Sequence, residues 1–232
     1  MLDFSRFELL TFDCYGTLID WETGIFSALK PVLTAHGKSI PDATLLELYG
    51  EFEAEAESGT YRNYREVLQS VVQAFGTRLS FVPTAMQKNS LPDAVPTWRP
   101  WPDTVSALKR LASRYRLAII SNIDDDLFAT TGPKLKVEFD QVITAEQAGA
   151  YKPSLKPFQL AIQRLELDPK QILHVGQSLY HDTIPAQSLG MGTVWVNRVS
   201  RRPGVGAVKK VEATPDLQVS DLRTLAAAIF PG

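Results

Sequence analysis

Leu9-Leu10-Thr11-Phe12-Asp13-Cys14-Tyr15-Gly16-Thr17-Leu18-Ile19-Asp20 is the stretch that decides the fold. Its apolar start, Leu9–Phe12, is short and continuous rather than alternating, the pattern of a strand buried on both faces of a parallel sheet. The run stops at a carboxylate, Asp13. Four more short runs follow: Leu117–Ile120, Val142–Ile143, Ile172–Val175 and Thr193–Val196. Helix-length segments separate them. Thr104–Tyr115 places Val105, Leu108 and Leu111 at helical spacing, and Lys156–Leu165 does so with Phe158, Ala161, Ile162 and Leu165. Strands alternating with helices predict a doubly wound, Rossmann-like α/β sheet.

One interval is too long. More than 100 residues separate the first strand from the second, far beyond what a crossover needs. That interval carries three helical stripes: Ile25, Leu29, Val32 and Leu33; then Leu45, Leu48 and Phe52; then Tyr64, Val67, Leu68, Val71, Val72 and Phe75. Four prolines between Pro92 and Pro102 predict an extended return linker. The expected organisation is an α/β core of residues 1–18 and 97–232 with a helical cap of residues 19–96 inserted after the first strand.

Composition narrows the class. The 232 residues are 44% hydrophobic and 22% charged, with 14 glycines and 15 prolines, which excludes disordered and collagen-like chains. A net charge of −2 lacks the basic footprint of nucleic-acid binding. The single cysteine, Cys14, excludes an internal disulfide or a Cys-rich zinc site. No run approaches the roughly 18 apolar residues of a membrane span, and charges interrupt the N-terminus before it could serve as a signal segment. A cytoplasmic enzyme or binding domain is expected.

In open parallel sheets, ligands bind beyond the carboxyl ends of the strands. Those ends carry Asp13-Cys14-Tyr15-Gly16-Thr17, Ser121-Asn122, Tyr151-Lys152-Pro153 and Gly176-Gln177-Ser178-Leu179-Tyr180-His181-Asp182. In this order and spacing the four segments resemble the motifs of the haloacid dehalogenase superfamily. The cap position is similar to that of the type II 2-haloacid dehalogenases. Phe12–Glu22, Ser121–Asp124 and Gln177–Asp182 look closest to a branch containing an azetidine-2-carboxylate hydrolase.

The resemblance implies that Asp13 attacks the substrate to form an ester, that Lys152 holds Asp13 ionised, and that Asp182 activates the water that opens the ester. It implies a substrate-binding rim of Cys14, Tyr15, Thr17, Trp21, Ser121, Asn122, Gln177 and Ser178, around a small carboxylate substrate. Two positions depart from the phosphatases of the superfamily. Tyr15 stands where they usually carry an acid, and Gln177 stands where they usually carry a metal-binding aspartate. No cofactor is therefore expected; a Mg²⁺-dependent phosphatase, with Asp13 and Asp182 as metal ligands, is the alternative. A catalytically silent binder of small anions is the other. No nucleic-acid or membrane partner is expected, and a homodimer is left open.

The dehalogenase pattern is also incomplete. Leu45–Glu57 has no halide-binding arginine and instead carries Glu47, Glu51, Glu53, Glu55 and Glu57, with Arg62 and Arg65 further along. Phe158 replaces a tyrosine. Cys14 reads as core filler, and His36, His174 and His181 are too scattered for a metal site. Trp21 is a candidate wall of the cleft. Arg198, Arg201, Arg202, Lys209 and Lys210, around Gly204 and Gly206, read as a solvated surface loop.

Overall fold

The computed structural model describes residues 2–198, 207 and 211–230. β1 (Leu9–Phe12) is buried along its whole length. The chain then runs into a helical insertion: α1 (Trp21–Ala35), α2 (Asp42–Glu57), α3 (Tyr64–Leu79), α4 (Ala85–Lys88) and α5 (Ser90–Ala94). Side-chain caps mark the starts of α1 and α3. Asp20 accepts from the Thr23 N–H at the start of α1, and Asn63 accepts from the Glu66 N–H at the start of α3. The three apolar stripes are buried, with Phe52 of α2 meeting Phe75 of α3 edge to face at 5.1 Å.

The return segment differs from expectation. Instead of running extended from Leu91, it forms α5 and a 3-10 turn at Val95–Thr97, and becomes extended only at Trp98. Pro92 and Pro96 sit in first turns, where a backbone N–H has no helical partner to lose.

The core follows as α6 (Thr104–Ala112), β2 (Arg116–Ser121), α7 (Asp125–Leu135), β3 (Gln141–Thr144), α8 (Ala145–Ala148), α9 (Lys156–Leu165) and β4 (Ile172–Gly176). A wide π-helical turn, Leu179–Thr183, leads to α10 (Ile184–Ser188), β5 (Gly192–Val196), β6 (Leu217–Val219) and α11 (Leu222–Ile229). The strands form one parallel sheet in the order β3-β2-β1-β4-β5-β6. β6 is an addition to the five expected strands; three residues are too few to announce a strand by pattern.

Both faces of the sheet are covered. Along β2, Leu117 and Ile119 join the cluster that includes Leu108 of α6 and Leu225 of α11, while Ala118 and Ile120 join Phe158 of α9 and Ala186 of α10. The insertion is tied to the core beside the strand ends. Both oxygens of Asp124 accept backbone N–H groups of Tyr64 and Arg65 at the start of α3, and Tyr151 donates its hydroxyl to the Arg62 carbonyl.

Arg198 corrects the solvated-loop reading. Its side chain is buried, its guanidinium grips both oxygens of Asp103 at 3.0 and 3.1 Å, and its Nε donates to the Thr17 carbonyl. Arg201, Arg202, Gly204, Gly206, Lys209 and Lys210 lie outside the described residues. Among the described residues no helix is long and apolar enough to cross a membrane.

Candidate active site

Strand order places the site. β1 lies at the centre between β2 and β4, so the residues that follow these three strands share one rim. At its middle is Lys152, 2% exposed. Its ammonium donates to Asp13 Oδ1 at 2.9 Å, Asp182 Oδ1 at 2.6 Å and the Ile120 carbonyl at 2.9 Å. One cation thus holds two buried carboxylates that come from opposite ends of the chain.

The charges follow from this geometry. Burial alone would lower the pKa of Lys152, but Asp13 and Asp182 outweigh it and hold the ammonium above its ordinary value. Burial raises Asp13, and Asp182 raises it further, while Lys152 and a 2.6 Å bond from Thr17 Oγ1 offset part of that rise. Asp182 goes the other way. Against the effect of burial, Lys152 and His174 pull its carboxyl below the usual range. The Ser178 N–H adds a bond to its second oxygen.

Two glycines make these approaches fit. A Cβ on Gly176 would lie 2.4 Å from the Asp182 carboxyl carbon, so only glycine lets that carboxylate fold back over the end of β4. Gly16 has φ +95°, and a Cβ there would meet Gln177 Oε1 at 2.0 Å.

Asp13, Lys152 and Asp182 line a cavity between insertion and core whose empty space, open mouth included, is about 530 Å³. Tyr15, Trp21, Ser121, Asn122, Gln177 and Ser178 line it too. Cys14 and Thr17 do not. The Cys14 side chain is fully buried in the core, and Thr17 acts behind the site, donating to Asp13 and accepting from the Gln177 N–H. Asn122 is largely committed elsewhere: its amide accepts from the Lys152 N–H and donates to the Lys152 carbonyl, clamping the lysine's backbone. Tyr15 hydrogen-bonds Thr131 through its hydroxyl, and burial pushes that phenol well above its ordinary value, leaving no acid in the phosphatase position.

The insertion contributes residues not expected at the site: Glu53, Glu57 and Tyr64. Glu53 and Glu57 are four apart on α2 and so share a face, a signal present in the sequence but read there only as a missing arginine. Arg62 and Arg65 are absent from the lining. Arg62 donates to Ser70 and to the Ala56 carbonyl, and Arg65 pairs with Asp126. His174 was also missed as a partner of the site. It lies inside β4 with Nδ1 2.8 Å from Thr11 Oγ1 and Nε2 3.3 Å from Asp182 Oδ1. Phe158 packs edge to face on its ring and stays in the core.

The family description "haloacid dehalogenase-like hydrolase" matches residues 7–190. The chain belongs to that family. It is 27% identical over 214 residues to an (S)-2-haloacid dehalogenase of Pseudomonas fluorescens, covering 91% of each chain. It is 33% identical to a glyceraldehyde 3-phosphate phosphatase of Methanothermobacter thermautotrophicus, but over only 43% of its length. In three dimensions it superposes on the L-2-haloacid dehalogenase of Xanthobacter autotrophicus with a TM-score of 0.80 at 21% identity, covering 96% of this chain and 98% of the other. That agreement is one of fold.

A divalent cation finds a poor donor set here. Asp13 is engaged at both oxygens and Asp182 at both of its own, with Lys152 between them. Gln177 offers only a neutral amide. Among the described residues no three His, Cys, Asp or Glu side chains converge as ligands.

Proposed function

We propose that this haloacid dehalogenase-like hydrolase displaces a leaving group from an sp³ carbon beside a carboxylate, through an ester on Asp13. The observation that carries the reading is the Asp13–Lys152–Asp182 cluster in the cavity lining. In the first step a carboxylate oxygen of Asp13 attacks the carbon, and the bond to the leaving group breaks with its electron pair. Water then attacks the ester carbonyl, loses its proton to Asp182, and releases a 2-hydroxy acid with Asp13 restored. Such a route leaves the carbon–oxygen bond of the product to come from Asp13.

Asp182 has about four acceptor sites as a carboxylate, and Lys152, His174 and Ser178 take three of them. The remaining one can accept from water, but the lowered pKa makes the acceptor a weak base. The donor set around Asp13 and Asp182 supports a reaction that runs without a metal ion. A 2-halocarboxylate and an azetidine-2-carboxylate-like ring both suit displacement, since neither leaving group requires proton donation.

The test is a single turnover in ¹⁸O-water with mass spectrometry of the peptide containing Asp13. The label is expected in Asp13 before product, and Asp13→Asn should lower turnover by at least about three orders of magnitude with the fold retained. Label entering product directly, with Asp13 unlabelled, sinks the ester route.

A further inference from the structure

A polar chain runs inside the sheet to Asp182. β1 and β4 pair in register with Thr11 opposite His174, so the two side chains leave the same face of the sheet. Both are buried. The imidazole has a polar partner at each nitrogen: Thr11 Oγ1 lies 2.8 Å from Nδ1, and Asp182 Oδ1 lies 3.3 Å from Nε2. Phe158 of α9 packs edge to face on the ring at 5.0 Å. The charged groups on this side are Asp182 and, on the same oxygen, the Lys152 ammonium, which also holds Asp13.

Counting hydrogens fixes the tautomer. Asp182 is ionised and can only accept, so Nε2 carries a hydrogen. In a neutral ring Nδ1 is then bare, and the Thr11 hydroxyl donates to it. In a cationic ring Nδ1 would donate instead, and the Thr11 hydrogen would need another acceptor. Among the described residues the Thr11 hydroxyl has no partner but His174. The neutral ring, with its hydrogen on Nε2, satisfies every group. Counting acceptor sites then identifies the base oxygen. Oδ1 of Asp182 accepts from Lys152 and His174, which fills it, while Oδ2 accepts from the Ser178 N–H and keeps one site. Lys152 alone does not hold this arrangement through a turnover, because an ester on Asp13 removes one of the two charges it balances. The His174 bond does not involve Asp13, and Thr11 anchors it to β1.

We infer that His174 is a positioning residue for the second half-reaction: anchored by Thr11, its Nε2–H fixes the Asp182 carboxylate so that Oδ2 takes the proton of the attacking water. The inference rests on the ester proposed for Asp13. As the water oxygen bonds to the ester carbonyl carbon, one of its protons passes to Oδ2. The tetrahedral centre then collapses, and the bond from that carbon to the product oxygen breaks. The departing alkoxide takes the proton from Oδ2, and Asp13 is left as a carboxylic acid that ionises to solvent. His174 keeps its hydrogen throughout. It has no part in the attack of Asp13 on substrate, so its loss should be felt in ester opening alone.

Quenched-flow mass spectrometry of the Asp13 peptide measures the two steps apart, using whichever of 2-chloropropionate and azetidine-2-carboxylate the parent turns over. In His174→Phe, ester opening is expected to slow at least about 10-fold while ester formation and kcat/KM stay within about 3-fold of the parent. His174→Gln still offers an N–H to Asp182 and should bring opening back to within about 3-fold of the parent. Thr11→Val removes the anchor but keeps the histidine, and should slow opening by about 3-fold or more with formation retained. In the ¹⁵N-histidine-labelled parent, His174 should show a protonated Nε2 and a bare Nδ1, the other two histidines being assigned through variants of His36 and His181. Opening unchanged in His174→Phe overturns the inference, as do both steps slowed alike, a glutamine variant as slow as the phenylalanine one, or a proton on Nδ1. The last result needs no variant of His174, so a phenylalanine variant that fails to fold leaves the inference exposed to the spectrum and to Thr11→Val. Opening unchanged with an ester on Asp13 removes only the role of His174. A parent that forms no ester, or turns over neither compound, removes the displacement and with it the step assigned to His174.

Discussion

Replacing Lys152 with methionine should cost both stability and chemistry, and the two losses should respond differently to pH. Lys152 is the shared partner of Asp13 and Asp182, and all three side chains are buried. Methionine fills much the same volume, so the main effect is two carboxylates left facing each other without a cation. Removing one member of a buried ion pair typically costs about 3–5 kcal/mol. For a chain of this length that lowers Tm by roughly 6–20 °C.

The sign of the pH dependence follows from Asp182. In the native protein its pKa lies below the ordinary range, so its contribution is present at neutral pH and lost as pH falls through the native value. Without Lys152 the buried carboxylates instead have raised pKa values. Protonation then relieves the folded variant, and its deficit against the parent shrinks as the pH is lowered. Urea unfolding at pH 7.5 and pH 5 measures this directly: the full deficit at the higher pH and a smaller one at the lower. Ester formation should fall by at least about three orders of magnitude at both. A deficit under about 1 kcal/mol, equal at the two pH values, would refute the shared-cation account.

Asp182→Asn should let the ester accumulate, seen as a mass adduct on the Asp13 peptide; an adduct-free variant with full activity counts against Asp182 as the base. Because burial and Asp182 raise Asp13, and attack needs the carboxylate, kcat/KM should decline on the acid side at a pH above the ordinary aspartate value. An acid limb at or below that value contradicts it. Turnover should survive exhaustive EDTA treatment, and Gln177→Asp should strengthen Mg²⁺ binding without raising the rate; activity that EDTA abolishes and Mg²⁺ restores transfers the case to phosphoryl chemistry.

Local pattern determined the fold class. Leu9–Phe12 and Ile172–Val175 are apolar apart from Thr11 and His174 because a central parallel strand touches helices on both faces, and that burial is written residue by residue. The motif residues were legible for a related reason: Asp13, Ser121, Lys152 and Asp182 follow strands, and strand ends converge. Tertiary structure decided what those residues touch. Asn122 looked like an anion binder, but its amide is taken up by the backbone of Lys152. Arg198 looked solvated, but it meets Asp103, a residue 95 positions away that no local pattern could pair with it. Glu53 and Glu57 read only as part of a stretch that lacks an arginine. The docking of α3 on Asp124 and of Tyr151 on the Arg62 carbonyl lays the insertion against the strand ends, and Glu53 and Glu57 then line the same cavity as Lys152. Side-chain spacing sets which residues share a helix face, but the direction of that face is fixed by packing between distant segments, and that information is not local.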